Sequence, residues 1–136
     1  MELYEVLALR QEVFCVEQNC PYQDLDGKDI HARHLLIRDE SGKLVAYARL
    51  LPKGVSYPEY SSIGRVVSSP TVRGQGVGQI LMTQSIRLMT QYYPNDDVKI
   101  GAQSYLLKFY GSFGFEAVGE EYLEDGIPHI SMILKS

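Results

Sequence analysis

The sequence predicts an α/β protein whose mixed sheet is antiparallel at its start and parallel in its middle, with helices on its faces. The first observation is a pair of β-rich runs joined by turn residues, which reads as a hairpin. The second is a strand that passes through a glycine-rich turn into a long amphipathic helix and on to another strand. The third is a pair of β-rich runs that closes the chain. The passage from Ile63 to Gly101 is a right-handed strand–helix–strand crossover, which sets its two strands parallel.

Taken in order, Leu3, Val6, Leu7, Val13 and Phe14 fall at helical spacings, predicting an amphipathic helix from Leu3 to about Val16 that Pro21 ends. Tyr22 to Ala32 reads as loop or a short helical turn with Asp24, Asp26 and Asp29 exposed. His34 to Arg38 and Leu44 to Leu51 are the hairpin strands, and Asp39 to Lys43 supplies the turn. After a loop marked by Pro52, Gly54 and Pro58, a strand runs from Ser62 to Ser68 and Pro70 closes it. The long helix spans about Gly76 to Tyr93. One of its apolar rows holds Ile80, Leu81, Leu88 and Tyr92, and a second holds Met82, Ile86, Met89 and Tyr93. A strand at Val98 to Gly101 leads to a helix from Gln103 to about Phe113, which Gly114 stops as a left-handed cap. Phe115 to Val118 and Ile127 to Leu134 are the closing strands around an acidic turn.

With 136 residues, 45% hydrophobic and 22% charged, the chain reads as one globular domain over residues 1–136. Thirteen basic against seventeen acidic residues give a net charge of -4, which argues against a phosphate-neutralising nucleic-acid surface. The acidic start, Met1 to Glu5, is unlike a secretion signal, and no apolar run approaches a membrane span, so a cytoplasmic setting is expected. Cys15 and Cys20 have no matching His or Cys cluster, so neither a disulfide framework nor a metal site is expected.

The sharpest local signal is Arg73-Gly74-Gln75-Gly76-Val77-Gly78 between a strand and a long helix. A helix start leaves N–H groups without intrahelical partners and carries the positive end of the peptide dipoles. Glycines let backbone close around an anion, so the segment is a phosphate cradle, with Arg73 as a charged partner. Gln79 stands where a dinucleotide fingerprint needs its third glycine, and no Gly-Lys-Ser or Gly-Lys-Thr follows for a Walker loop. A tight turn whose glycines only solve backbone geometry is the other reading.

The Arg-x-x-Gly-x-Gly pattern resembles the coenzyme A pyrophosphate loop of the GNAT family of N-acetyltransferases, and the likeness extends over nearly the whole chain. Val66-Val67-Ser68 sits where that family's splayed central strand offers backbone to the pantetheine arm. Gln103 takes the place usually held by an asparagine seven residues ahead of a tyrosine. Tyr110-Gly111-Ser112-Phe113-Gly114-Phe115 looks like the family's Tyr-x-x-x-Gly-Phe ending. Arg10 to Tyr22 and Asp125-Gly126-Ile127-Pro128-His129 look like its ElaA-type branch. The resemblance implies a GNAT-like sheet lacking the family's usual first strand, since this chain starts at the helix, and an association through the sheet edge, a homodimer, would complete it.

The activity implied is acetyl transfer from acetyl-CoA to the primary amine of a small molecule by direct attack, with acetyl-CoA as co-substrate and no metal. Arg73, Gly74, Gln75, Gly76, Val77 and Gly78 would hold the pyrophosphate, a backbone N–H near Val67 would face the thioester carbonyl, and Gln103 would bind the pantetheine amide. Tyr110 is the candidate general acid for the thiolate, since a phenol stays protonated at neutral pH. Glu17, at the end of the first helix, leads as base, with His34 and His129 as titratable alternatives on the acceptor side and a water chain equally open. Asp24, Asp26 and Asp29, together with Glu120, Glu121, Glu124 and Asp125, would form a negative rim that draws cationic amines. Protein or peptide N-acetylation and a non-catalytic acyl-CoA-binding module stand as alternatives.

Overall fold

Six strands form one sheet in the order β1-β2-β3-β4-β6-β5 in the computed structural model, which describes residues 2–17 and 26–136 and, within these, all side chains but those of 15–17. β1 (Arg33–Arg38) and β2 (Leu44–Leu51) form the expected hairpin, and β3 (Ser61–Ser68) runs antiparallel to β2. β4 (Val98–Gln103) is parallel to β3, and β6 (Ile127–Leu134) lies antiparallel between β4 and β5 (Glu116–Glu124). The α-helices are α1 (Glu2–Arg10), α2 (Val77–Tyr92) and α3 (Leu107–Gly111). The sheet is thus mixed as expected.

The Asp39 turn shows why the hairpin forms where it does. Its carboxylate accepts from the backbone N–H groups of Ser41 (2.9 Å) and Lys43 (3.0 Å), and Gly42 takes the left-handed φ of 89° that the turn requires. β2 is buried along its whole length because both its faces are covered. Ala46, Ala48 and Leu50 pack with Leu81, Met82 and Met89 of α2, whereas Tyr47 packs on the other face with Val6, Leu9 and Val13. Each of the larger side chains stabilises the fold by about 1.5–3 kcal/mol on burial.

β3 carries the irregularity that shapes the molecule. Tyr47 pairs with Val67 but Arg49 pairs with Gly64, so three steps along β3 oppose two along β2. Arg65 absorbs the extra residue at a φ of 49°, a value uncommon for a residue with a side chain. The bulge reverses the alternation. Ile63 and Val67, which would share a face on a regular strand, belong to opposite layers. Beyond it, β3 and β4 separate: their parallel pairing is confined to Ser61 opposite Val98 and Ser62 opposite Lys99. The sheet opens there into a wedge.

Four expectations are corrected. The first helix passes into a π-helical turn at Gln11–Glu17, and Leu3 is 61% exposed while Leu9 is buried. In α2 the buried residues are Leu81, Met82, Ser85 and Met89, and Ile80 and Tyr92 face outward. Ser85 enters the core because its hydroxyl donates to the Leu81 carbonyl at 2.7 Å. Gln103 is the last residue of β4 rather than the start of a helix; a 3₁₀ turn at Ser104–Leu106 intervenes before the short α3. β5 runs on through Glu120, Glu121 and Glu124, so the acidic turn shrinks to Asp125-Gly126, both at left-handed φ (50° and 77°) as a tight hairpin demands. As expected, Gly114 takes a left-handed φ, of 100°. No helix among the described residues is long and apolar enough to cross a membrane.

Candidate active site

The wedge between β3 and β4 opens into a cavity of about 1180 Å³ that reaches the start of α2 on one side and the β5–β6 hairpin on the other. Its first wall is the glycine turn. Gly74 and Gly76 sit at φ of 81° and 77°, values open to glycine at little cost. Gly76 caps α2 with no side chain closing the helix end. The N–H groups at Val77, Gly78 and Gln79 therefore have no intrahelical acceptor, and those residues line the cavity. A Cβ at Gly74 or Gly76 would meet nothing within 4 Å, so the surface over the turn is open. Arg73 lines the same wall and donates from Nη2 to the Ser68 carbonyl at 3.1 Å. Gln75 is not among the cavity-lining residues, and its N–H donates within the turn to the Val72 carbonyl at 3.3 Å.

Val66, Val67 and Ser68 form the β3 side of the wedge and Gln103 ends its β4 side. Tyr110 lies between them from α3, only 7% exposed, with Phe109 and Phe115 edge-on to its ring at 5.2 and 6.1 Å. Burial, helped by the nearby Tyr105, pushes its phenol up to about 12, so it holds its proton throughout the neutral range.

The opposite wall gathers residues from separate elements. His129 of β6 pairs across the sheet with Gln103 and with Tyr122 of β5, whose ring stacks on the imidazole at 5.9 Å and 27°. Its Nδ1 lies 2.7 Å from the Ile127 carbonyl, and its Nε2 lies 3.3 Å from Glu124. Gly101 of β4 faces the same space: a Cβ there would come within 2.7 Å of the Tyr122 hydroxyl and 3.8 Å of the Tyr57 hydroxyl. Tyr57, Tyr122 and Gly101 were not foreseen. A glycine inside the β4 run is the one sequence signal for close approach at that point.

A buried charge network closes the cavity's β2 side. Arg49, 3% exposed, meets both carboxylate oxygens of Asp26 at 2.8 and 2.9 Å. Arg65 reaches Asp26 at 3.4 Å, and Arg10 holds Asp29 at 2.8 Å. Burial opposes ionisation of both aspartates, yet the arginine hydrogen bonds prevail and keep their carboxyls below the usual carboxylate range. Asp26 and Asp29 are thus tied to arginines rather than standing as an uncompensated negative rim. Of the other acidic residues, Glu124 and Asp125 line the cavity, Glu120 and Glu121 do not, and Asp24 lies outside the described residues.

His34 is not among the cavity-lining residues. On β1 its Nδ1 engages the Tyr47 hydroxyl and its Nε2 the Asp29 carbonyl at 3.1 Å, so it braces the hairpin against the loop. The side chain of Glu17 lies outside the described residues.

The chain matches the model of the acetyltransferase (GNAT) domain over residues 9–136. It is 50% identical to protein ElaA of Escherichia coli over 133 residues, which cover 96% of this chain and 86% of that protein. A solved acyl-CoA N-acyltransferase from Pseudomonas aeruginosa superposes with a TM-score of 0.92 at 47% identity, covering 98% of this chain and 89% of that one. The crystal structure of Escherichia coli ElaA superposes with a TM-score of 0.90 at 48% identity, with the same coverage of 98% and 89%. A helix start left open by glycines, a sheet split beside it and these relatives agree: the chain belongs to the GNAT acetyltransferase family and is an acetyl-CoA-dependent acyltransferase.

Proposed function

We propose that the protein transfers the acetyl group of acetyl-CoA to a primary amine of a small molecule by direct attack, in a cytoplasmic setting. The observation that carries this reading is the wedge itself, which joins an uncapped helix start to a polar, aromatic pocket on its far side. Arg73 and the backbone at Gly74, Gly76, Val77 and Gly78 fit a diphosphate, because amide donors and a guanidinium converge on open space. Backbone of Val66, Val67 and Ser68, on the edge that the splay leaves unpaired with β4, fits the pantetheine amides, and so does the Gln103 carboxamide.

Acetyl-CoA supplies an activated acyl carbon, and holding it beside an incoming nitrogen removes the entropy cost of their encounter. An N–H near Val67 would take the charge that develops on the carbonyl oxygen. Tyr110 would protonate the leaving sulfur, a role suited to a phenol that stays neutral at working pH. The test is to incubate the protein with acetyl-CoA and a panel of small amines and to measure free thiol and N-acetylated product together. The reading expects both to rise in equal amounts for cationic primary amines. Acetyl-CoA binding with no amine-dependent thiol release would leave an acyl-CoA-binding module instead.

A further inference from the structure

The corner formed by His129, Glu124 and Tyr122 sets an imidazole nitrogen beside a carboxylate on the cavity wall. The Ile127 carbonyl can only accept, so His129 Nδ1 carries the hydrogen of that 2.7 Å contact. In the neutral ring Nε2 then presents a lone pair, yet it faces the Glu124 carboxylate at 3.3 Å. A donor placed beside both atoms would serve the two together, and a proton taken up by Nε2 would turn the contact into an ion pair. A primary ammonium has three N–H groups and a positive charge, so it can meet the Glu124 carboxylate and the Nε2 lone pair together. The aromatic surround suits the same ion: Tyr122 stacks on the imidazole, and the Tyr57 and Tyr122 hydroxyls converge over Gly101. Tyr57 shows its taste for cations in the Lys99 Nζ that stands 4.8 Å from its ring centroid. The ionisable groups around the corner are Tyr122, Glu124 and Asp125 from the β5–β6 hairpin, Tyr57 from the loop before β3 and Lys99 from β4.

We propose that the acceptor is a primary alkylammonium ion received between the Glu124 carboxylate and His129 Nε2, and that His129 takes its proton before attack. The proposal rests on the acetyl-transfer reading above and names its acceptor class and base. Atoms balance as follows. An N–H bond of the ammonium breaks as Nε2 gains the proton, and the imidazolium so formed pairs with Glu124. The freed nitrogen lone pair forms the C–N bond at the thioester carbon, and the C–S bond breaks. Sulfur takes the Tyr110 proton, and the second proton lost from nitrogen restores that phenol. The proton on His129 passes to solvent past Glu124, which is 60% exposed, giving the one net proton of the reaction.

Ring-nitrogen NMR of the histidines in the CoA-saturated protein, titrated with propylamine, tests this directly. The Nε2 resonance of His129 should move and saturate, and Glu124→Gln should abolish the movement. In turnover with propylamine, Glu124→Gln should raise KM. His129→Gln should lower kcat by ~10²-fold at neutral pH, with the deficit shrinking as alkali supplies free amine. Backbone amide shifts of Gly74, Gly76 and Gly78 on adding CoA report separately on folding and on the cofactor side. An unmoved Nε2 beside responsive glycine amides would overturn the proposal alone. Glycine amides silent to CoA would overturn the acetyl-transfer reading, and the proposal with it.

Discussion

The hydroxyl of Tyr122 lies 2.7 Å from the point where a side chain would begin on Gly101, so the tyrosine occupies space that only a glycine in β4 leaves open. Gly101→Ala should force the ring of Tyr122 off His129 and open the acceptor corner. Amine KM should rise ~10-fold, the scale of losing one oriented contact of about 1.4 kcal/mol. Affinity for CoA, whose proposed site is on the other side of the wedge, should stay near the wild-type value. Steady-state kinetics paired with calorimetric CoA binding separates the two effects.

Tyr110 is held protonated by burial, with Phe109 and Phe115 edge-on to its ring. Tyr110→Phe keeps the ring packing and removes one proton donor. Turnover should fall ~10²-fold while CoA binding persists. Wild-type turnover in the variant would make Tyr110 a packing residue only.

Gly76 caps α2 at a left-handed φ of 77° with open space above it. Gly76→Ala should therefore cost about 1–2 kcal/mol in backbone strain rather than through a clash. Because the same turn aims its amides at the cavity, the KM for acetyl-CoA should rise as well. Thermal denaturation and acetyl-CoA kinetics on one preparation check both.

Asp26 accepts both guanidinium donors of buried Arg49. Asp26→Asn should cost about 2–3 kcal/mol, somewhat below the loss of a fully buried pair because Asp29 remains 3.3 Å from the same guanidinium. The pH dependence follows from sign. A carboxyl lowered in the fold stabilises it above the ordinary value of 3.8 and ceases to do so as pH falls through the lowered value. Wild-type stability should thus decline below pH 3.8, and the variant should decline less steeply in that window. Urea midpoints from neutral to strongly acid pH measure the difference.

Local chemistry made much of this architecture readable. Asp39 and Gly42 announced the hairpin, and Arg73 to Gly78 announced the helix start, because turn and cap preferences act between near neighbours. What the sequence does not show is non-local. Only the fold brings the Tyr47 hydroxyl and the Asp29 carbonyl to the two nitrogens of His34. Gln75 sits inside the glycine pattern, yet its amide turns inward because the Val72 carbonyl reaches it first. Arg49 lies buried within β2, and only the loop carrying Asp26 and Asp29 explains that burial. The bulge at Arg65 depends on register against β2, which no single strand encodes, although Gly64 beside it marks the weak point.

A crystal structure grown with CoA tests the central claim most directly. The account predicts diphosphate oxygens within about 3 Å of the N–H groups of Gly74, Gly76, Val77 and Gly78, and the thiol in the wedge between β3 and β4 beside Tyr110. A diphosphate bound away from this helix start, or a wedge that closes on itself while CoA lies elsewhere, would contradict it.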